Sequence, residues 1–303
     1  MNWKRILKWT GITVGALLGF VVLFIGFQLW GFGRAVARVY DVPPPDVVAS
    51  DDSVVIARGQ HLAESIGGCQ ACHGPGMGGQ LVEDMGPIGV FHGPNLTTGT
   101  GGLGSSYTDG ELARAVRHGI KRDGRTVLFM PSMEFNWWPD EDLVAIVSYI
   151  RSLPPVDNAE PPSTVGLLGK LLDQFDMLPM TIAPRIDHEG DRPNAPDPEP
   201  TAEYGSYIVM GCFGCHGEGL SGGKIPGAPA TFPIPSNLTP HETGLAGWTE
   251  ADFVTLLNTG ARPDGSEMDP FMPIAMTSAM NDIEKSALWA YLRTLEPVEF
   301  GNR

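Results

Sequence analysis

The chain has 303 residues, room for about two domains of ordinary size. With 42% hydrophobic and 18% charged residues it reads as globular rather than disordered. A formal net charge of −15 argues against nucleic acid as a partner and favours docking onto basic protein patches.

Lys4, Arg5 and Lys8 open the chain, and from Trp9 to Gly33 there is no ionisable side chain. A bilayer is spanned by about 20 apolar residues, whereas the apolar core of a signal peptide takes only about 7–15. Residues 1–33 are therefore expected to be an uncleaved anchor rather than a signal cleaved at Ala35-Val36-Ala37. The basic end lies in the cytoplasm, Trp30 and Phe32 sit at the far interface, and the remainder is exported. Residues 34–52 form a Pro-rich spacer, stiffened by Pro43-Pro44-Pro45.

A helix predicted from Ser53 carries Val54, Ile56, Leu62 and Ile66 to Gly67-Gly68 and delivers the chain to Cys69-Gln70-Ala71-Cys72-His73. This C-x-x-C-H pattern returns at Cys212-Phe213-Gly214-Cys215-His216, and the two copies use all 4 cysteines. It is the attachment signature of c-type haem: each thiol adds to a porphyrin vinyl group, and the trailing imidazole is placed to bind the iron. A redox dithiol or half a zinc site also uses C-x-x-C, but neither needs a His directly after both copies. Two covalently bound haem c groups are expected, and 39 glycines and 27 prolines suit domains whose cores are partly porphyrin.

A Gly-rich loop follows His73, then Gly93 to Thr98 leads to Thr108 and Glu111, which have the spacing of a capping box. Leu112, Ala115, Val116 and Ile120 continue one helical face, and Pro139-Asp140 opens a helix that ends near Leu153-Pro154-Pro155. The second half repeats this order. Asn237-Leu238-Thr239 answers Asn95-Leu96-Thr97, Trp248 to Asp252 answers Tyr107 to Glu111, and Ala287 to Leu295 answers Ala145 to Leu153. Internal repetition on this scale implies two copies of one domain, 53–156 and 201–303, joined by a linker over 157–200. The linker ends in a Pro-rich tail, Arg192 to Pro200. Leu168, Leu171, Leu172 and Phe175 at its centre predict a short helix packed between the domains, with docking onto a partner or the membrane as the alternative.

An iron held by one His keeps an open axial position, and what fills it separates carrier from catalyst. Met130-Pro131 and Met272-Pro273 stand at nearly the same spacing after His73 and His216, and the repeat selects Met130 and Met272 from 12 methionines as the sixth ligands. Met133 has no methionine at the matching place, and Met276 is one position out. The proposed iron ligands are thus His73, Met130, His216 and Met272. His61, His92, His118, His188 and His241 have no counterparts, which points to surface or local hydrogen-bonding roles. Asn95, Thr97, Asn237 and Thr239 suit either a haem propionate or a turn. Tyr149 and Tyr291 are expected to pack in the last helix of each domain, and Arg125 has no partner in the second half.

The succession C-x-x-C-H, G-x-N-L-T, a Tyr/Trp-Thr helix start, Asp-Gly, Met-Pro and a helix ending near Leu153 or Leu295 resembles class I cytochrome c domains. More narrowly, it is similar to the cytochrome subunits of bacterial membrane-bound alcohol and gluconate dehydrogenases. The resemblance implies an all-α fold of two tandem class I cytochrome c domains, here with an N-terminal transmembrane helix, and a periplasmic location at the inner membrane. It implies electron delivery from a dehydrogenase, whereas a quinol-oxidising complex, a terminal oxidase or a photosynthetic reaction centre is an equally compatible partner. Those subunits carry three haem domains and a C-terminal anchor, and this chain departs from both. The expected role is a dihaem electron carrier, not an enzyme. The alternative is a dihaem cytochrome c peroxidase-like enzyme, whose halves would differ at the distal ligand, or a mainly structural subunit.

Overall fold

The computed structural model describes residues 3–192, 194–226, 228 and 231–303. Pro193 of the predicted Pro-rich tail lies outside the described residues, as do Met1 and Asn2 at the start of the predicted anchor. Helix α1 (Trp3–Ala37) is one continuous rod with apolar side chains exposed along most of its length. It continues past the predicted end at Gly33, through Arg34. Among the described residues it is the one helix long and apolar enough to cross a membrane.

The first haem-type repeat contains α2 (Ser53–Glu64), α3 (Cys69–His73), α4 (Asp109–His118), α5 (Ser132–Phe135) and α6 (Asp140–Ser152). Helix α7 (Leu167–Gln174) lies in the linker. The second repeat contains α8 (Ala202–Ile208), α9 (Phe213–His216), α10 (Glu250–Thr259), α11 (Ile274–Ala279) and α12 (Asp282–Leu292). The helix starts follow their caps. Asp52 accepts from the Val54 amide, and the predicted capping boxes form at Thr108 with Glu111 and at Thr249 with Asp252. A third box, Asn281 with Glu284, opens α12.

In each repeat the first helix crosses the last at a glycine. Gly59 on α2 lies against the Ala145 carbonyl and Tyr149 of α6; Gly205 on α8 lies against the Ala287 carbonyl and Tyr291 of α12. The two tyrosines therefore pack where the last helix receives the first. Around the first crossing Leu62, Leu112, Leu143 and Ile146 are buried, and around the second Ile208, Phe253, Leu288 and Leu292.

The chain is mostly helical but not all-α. Strands β1 (Gln80–Asp84), β2 (Gly89–Gly93) and β3 (Thr164–Val165) make an antiparallel sheet in the order β1-β2-β3 on the first repeat. The reason lies in residue type. Val90 and Phe91 alternate buried and half-buried faces, and the linker returns to supply β3 along the open edge. The equivalent stretch of the second repeat carries Pro226, Pro233 and Pro235, which cannot donate to a ladder, and no strand forms there among the described residues.

The spacer and the linker both pack on the first repeat. Tyr40 donates its amide to the Gly124 carbonyl, Val39 bridges to Arg125, and Val47 enters the first core. Helix α7 forms where predicted but does not sit between the domains. It leans on α1 and β2, because the linker must first complete the sheet and so emerges on the α1 side.

The domains instead meet around α2 and α8, through matched contacts. Aligned on Gly59 and Gly205, Arg58 answers Tyr204 and His61 answers Tyr207. Arg58 binds Asp142 of its own domain at 3.0 Å, and Tyr204 reaches Glu284 of its own at 3.5 Å. His61 and Tyr207 cross over: the His61 imidazole contacts the Glu284 carboxylate at 2.8 Å, and the Tyr207 hydroxyl donates to Asp142. Both carboxylates are buried. His61 is thus an interdomain residue, not the surface or local one that its lack of a histidine counterpart suggested. Its counterpart is a tyrosine.

Because a Cβ at Gly59 would overlap the Ala145 carbonyl, Gly59→Val is expected to lower stability by about 1–3 kcal/mol, measured by urea unfolding of the first domain.

Candidate haem-binding sites

Both C-x-x-C-H stretches coil into a short helical turn, and each trailing histidine is buried at its end. The His73 ring donates Nδ1–H to the Pro94 carbonyl at 2.8 Å, and the His216 ring donates to the Ser236 carbonyl at 2.8 Å. This bond selects the tautomer whose Nε2 carries the free lone pair, as a metal-binding imidazole requires. Burial also lowers both imidazole pKa values and keeps the rings neutral.

The thiols behave oppositely to a redox dithiol. Burial pushes Cys69 and Cys212 up to about 12 and raises Cys72 and Cys215 as well. A reactive C-x-x-C pair has a thiol lowered towards neutrality. The ends of the two turns are closed differently. Gln80 on β1 donates to the Ala71 carbonyl at 2.8 Å, whereas Arg303 donates to the Cys215 carbonyl at 2.7 Å. Neither residue stands out in the sequence, since the two come from unrelated places in the repeat.

Asn95 and Asn237 are turn staples. Each is buried, its Oδ1 accepting from the Thr97 or Thr239 amide at 2.9 Å and its Nδ2 donating to the Val156 or Val298 carbonyl at 2.6 or 2.7 Å. Each threonine hydroxyl accepts in turn from the Val156 or Val298 amide. These bonds clasp the loop that holds the histidine to the segment beyond the last helix, and they occupy the polar atoms a propionate would need.

In the second domain Cys212, Cys215, His216 and Met272 line one cavity of about 280 Å³. Its walls are mostly apolar and include Leu245, Trp248, Phe253 and Leu288. Met268, Met276 and Met280 line it too, so proximity alone does not single out Met272. Backbone geometry does relate it to Met130. The Met130 carbonyl accepts from the Ser132 amide and the Met272 carbonyl from the Ile274 amide, both at 2.8 Å, with a proline between and a short helix after. Met130 is half-buried against the same core cluster as Cys69.

The two attachment stretches face the domain interface. Glu134, three residues after Pro131, lies against Gly214 between Cys212 and Cys215. Met276, three residues after Pro273, lies against Gly68 beside Cys69. Each methionine-bearing loop therefore covers the other domain's attachment turn. Of the remaining histidines, His92 pairs with Glu160 at 2.8 Å and His241 bonds locally to Thr243. His118 and His188 lie 3.1 Å apart in a buried contact that lowers His118 to about 4, by burial first and His188 second.

Residues 55–150 match the family described as cytochrome c oxidase, cbb3-type, subunit III, and residues 202–296 match the family described as cytochrome c. The chain carries two cytochrome c domains in tandem. Such domains bind haem c, and the two attachment turns are the places suited to it here. Among curated relatives, the alcohol dehydrogenase (quinone) cytochrome c subunit of Gluconacetobacter polyoxogenes is 31% identical over 281 residues, covering 82% of this chain and 57% of that protein. The subunit of the same name from Gluconobacter oxydans is 30% identical, with 91% of this chain and 60% of that protein covered. The fructose dehydrogenase cytochrome subunit of Gluconobacter japonicus is 26% identical, with 84% and 55% covered. The chain thus spans little more than half the length of these relatives.

Asn237→Ala leaves the Val298 carbonyl and the Thr239 amide without their buried partner and is expected to cost about 1–3 kcal/mol in denaturant unfolding.

Proposed function

We propose that this protein binds two haem c groups, one through Cys69, Cys72, His73 and Met130 and one through Cys212, Cys215, His216 and Met272, and carries electrons between redox proteins. The observation that carries this reading is the doubled geometry: each half pairs a carbonyl-locked neutral imidazole with a Met-Pro turn of the same backbone form. Haem c, when bound, supplies a one-electron ferric–ferrous couple. The chain's own residues then do the rest. His73 with Met130, and His216 with Met272, would be the iron's protein ligands, and the apolar wall around Trp248 and Phe253 would keep water from the second site. An iron with two protein ligands would favour reversible electron transfer over peroxide chemistry.

Both attachment turns lie at the interface, where Glu134 contacts Gly214 and Met276 contacts Gly68, so groups held there would sit close to the contact between the domains. The relatives named as dehydrogenase cytochrome subunits support a membrane-bound dehydrogenase as electron donor. Helix α1 tethers the chain to the inner membrane, with the cytochrome domains on the periplasmic side.

Near-infrared magnetic circular dichroism of the oxidised protein is expected to give a His/Met signature from both haems, and Met130→His is expected to lower the first haem's potential. A high-spin or bis-His haem in the unaltered protein, with peroxide turnover, would overturn the carrier reading.

Glu134 adds a pH dependence. Burial pushes its carboxyl up to about 7, so it ionises as pH rises through neutrality. A negative charge there, beside Cys212 and Cys215, would favour the oxidised state of a haem held by them, so the second haem's potential is expected to fall across this window. Glu134→Gln should flatten the slope for the second haem in a redox titration.

A further inference from the structure

Helix α7 presents an apolar surface that the fold leaves uncovered. Leu167, Leu168, Phe175 and Met177 are 57%, 43%, 47% and 42% exposed, while Gly169 and Asp173 face inward and are buried. Asp173 is fully engaged, accepting from the Met180 and Thr181 amides and pairing with Arg185, so the inward face is locked in place. Exposed apolar side chains gathered on α7 and the turn after it, where the exposed Asp176 between Phe175 and Met177 is paired with Arg185, mark a contact with something else.

Its position along α1 identifies what covers it. Lys170 lies 6.0 Å from the Phe32 ring, Gln174 lies against Gly31, where any side chain would collide with it, and Phe175 stacks on Phe24 at 6.1 Å. These contacts place the α7 segment beside α1 between Phe32 and Phe24, within its uncharged stretch. Trp30, with the Arg34 guanidinium 4.9 Å over its ring, has the character of an interfacial anchor. At 1.5 Å per residue Phe24 lies about 9 Å below Trp30 along the helix. Amphipathic helices that lie in the membrane surface bury their apolar face about 5–10 Å into the boundary between headgroups and acyl chains. The two depths agree.

We propose that the α7 segment is a second membrane-contact element, its Leu167, Leu168, Phe175 and Met177 face seated in the headgroup–acyl boundary of the same leaflet from which α1 emerges. This rests on the reading of α1 as a membrane span. Lys170 and Arg34 stand at headgroup level, where they meet lipid phosphates. With two contacts instead of one, the first cytochrome domain cannot swivel freely about its tether. Helix α7 touches β2 and β2 touches α3, so the first attachment turn is held one sheet away from the lipid surface.

The test uses the full haem-loaded chain in phospholipid nanodiscs. Single cysteines replace Leu18, Leu168, Phe175 or Ser278 and carry a nitroxide, with the unaltered chain as the labelling control. Collision with oxygen, which concentrates in lipid, is compared with collision with a water-soluble nickel chelate. The expected result is an oxygen-to-nickel ratio several-fold higher at Leu18→Cys, Leu168→Cys and Phe175→Cys than at Ser278→Cys. A lipid-like Leu18→Cys with water-like Leu168→Cys and Phe175→Cys overturns the α7 contact and leaves the span standing. Labels at Leu168→Cys and Phe175→Cys shielded from both reagents overturn it in favour of a protein partner. A water-like Leu18→Cys overturns the span, and the α7 contact with it.

Discussion

Everything in the two domains depends on the close crossing of the first helix with the last. Gly59 against Ala145 and Gly205 against Ala287 let the backbones touch, which sets where α2 and α8 end and so where each C-x-x-C-H turn begins. The turn then presents its histidine to a single backbone carbonyl, Pro94 or Ser236, and that carbonyl is held by the asparagine staple one residue later in sequence. A chain of short-range constraints thus runs from a helix crossing to the tautomer of an imidazole. A larger residue at either glycine would disturb a ring nitrogen several residues away.

The same helices make the interface. Their outer faces carry His61 and Tyr207, and each reaches the acidic residue that its own domain already holds, Glu284 or Asp142. Using one carboxylate for both the intradomain and the interdomain bond couples the packing of a domain to its docking. Neither Asp142 nor Glu284 is left as an unpaired buried carboxylate, which would otherwise be costly. The outcome for function is geometric: both attachment turns lie at the contact, each under the other domain's methionine loop.

The two halves nonetheless differ in their surroundings. The first domain collects the spacer, the three-stranded sheet, the linker and the foot of α1, whereas the second ends in Arg303, which folds back to cap its own attachment turn. The added segments distinguish a domain next to α1 from one remote from it. Such an asymmetry gives two similar attachment turns different neighbours.

Much of this was legible in the residues. C-x-x-C-H, the Asn-Leu-Thr clasp, the capping boxes and the Met-Pro turns are local patterns whose chemistry is written within a few positions, and the repeat let each half corroborate the other. Three features were not legible. The helix–glycine register of the second domain is shifted relative to its cysteines, so comparison at one constant spacing hid the match of His61 with Tyr207. The strands needed an edge from the distant linker, and the place of α7 depended on where that linker emerged. The sequence by itself determined the main helices, the repeat and the candidate ligands, because these follow from residue type and short spacing. Only the tertiary structure decided which faces meet, since contacts between residues far apart in the chain depend on helix crossings and strand pairings that no local pattern encodes.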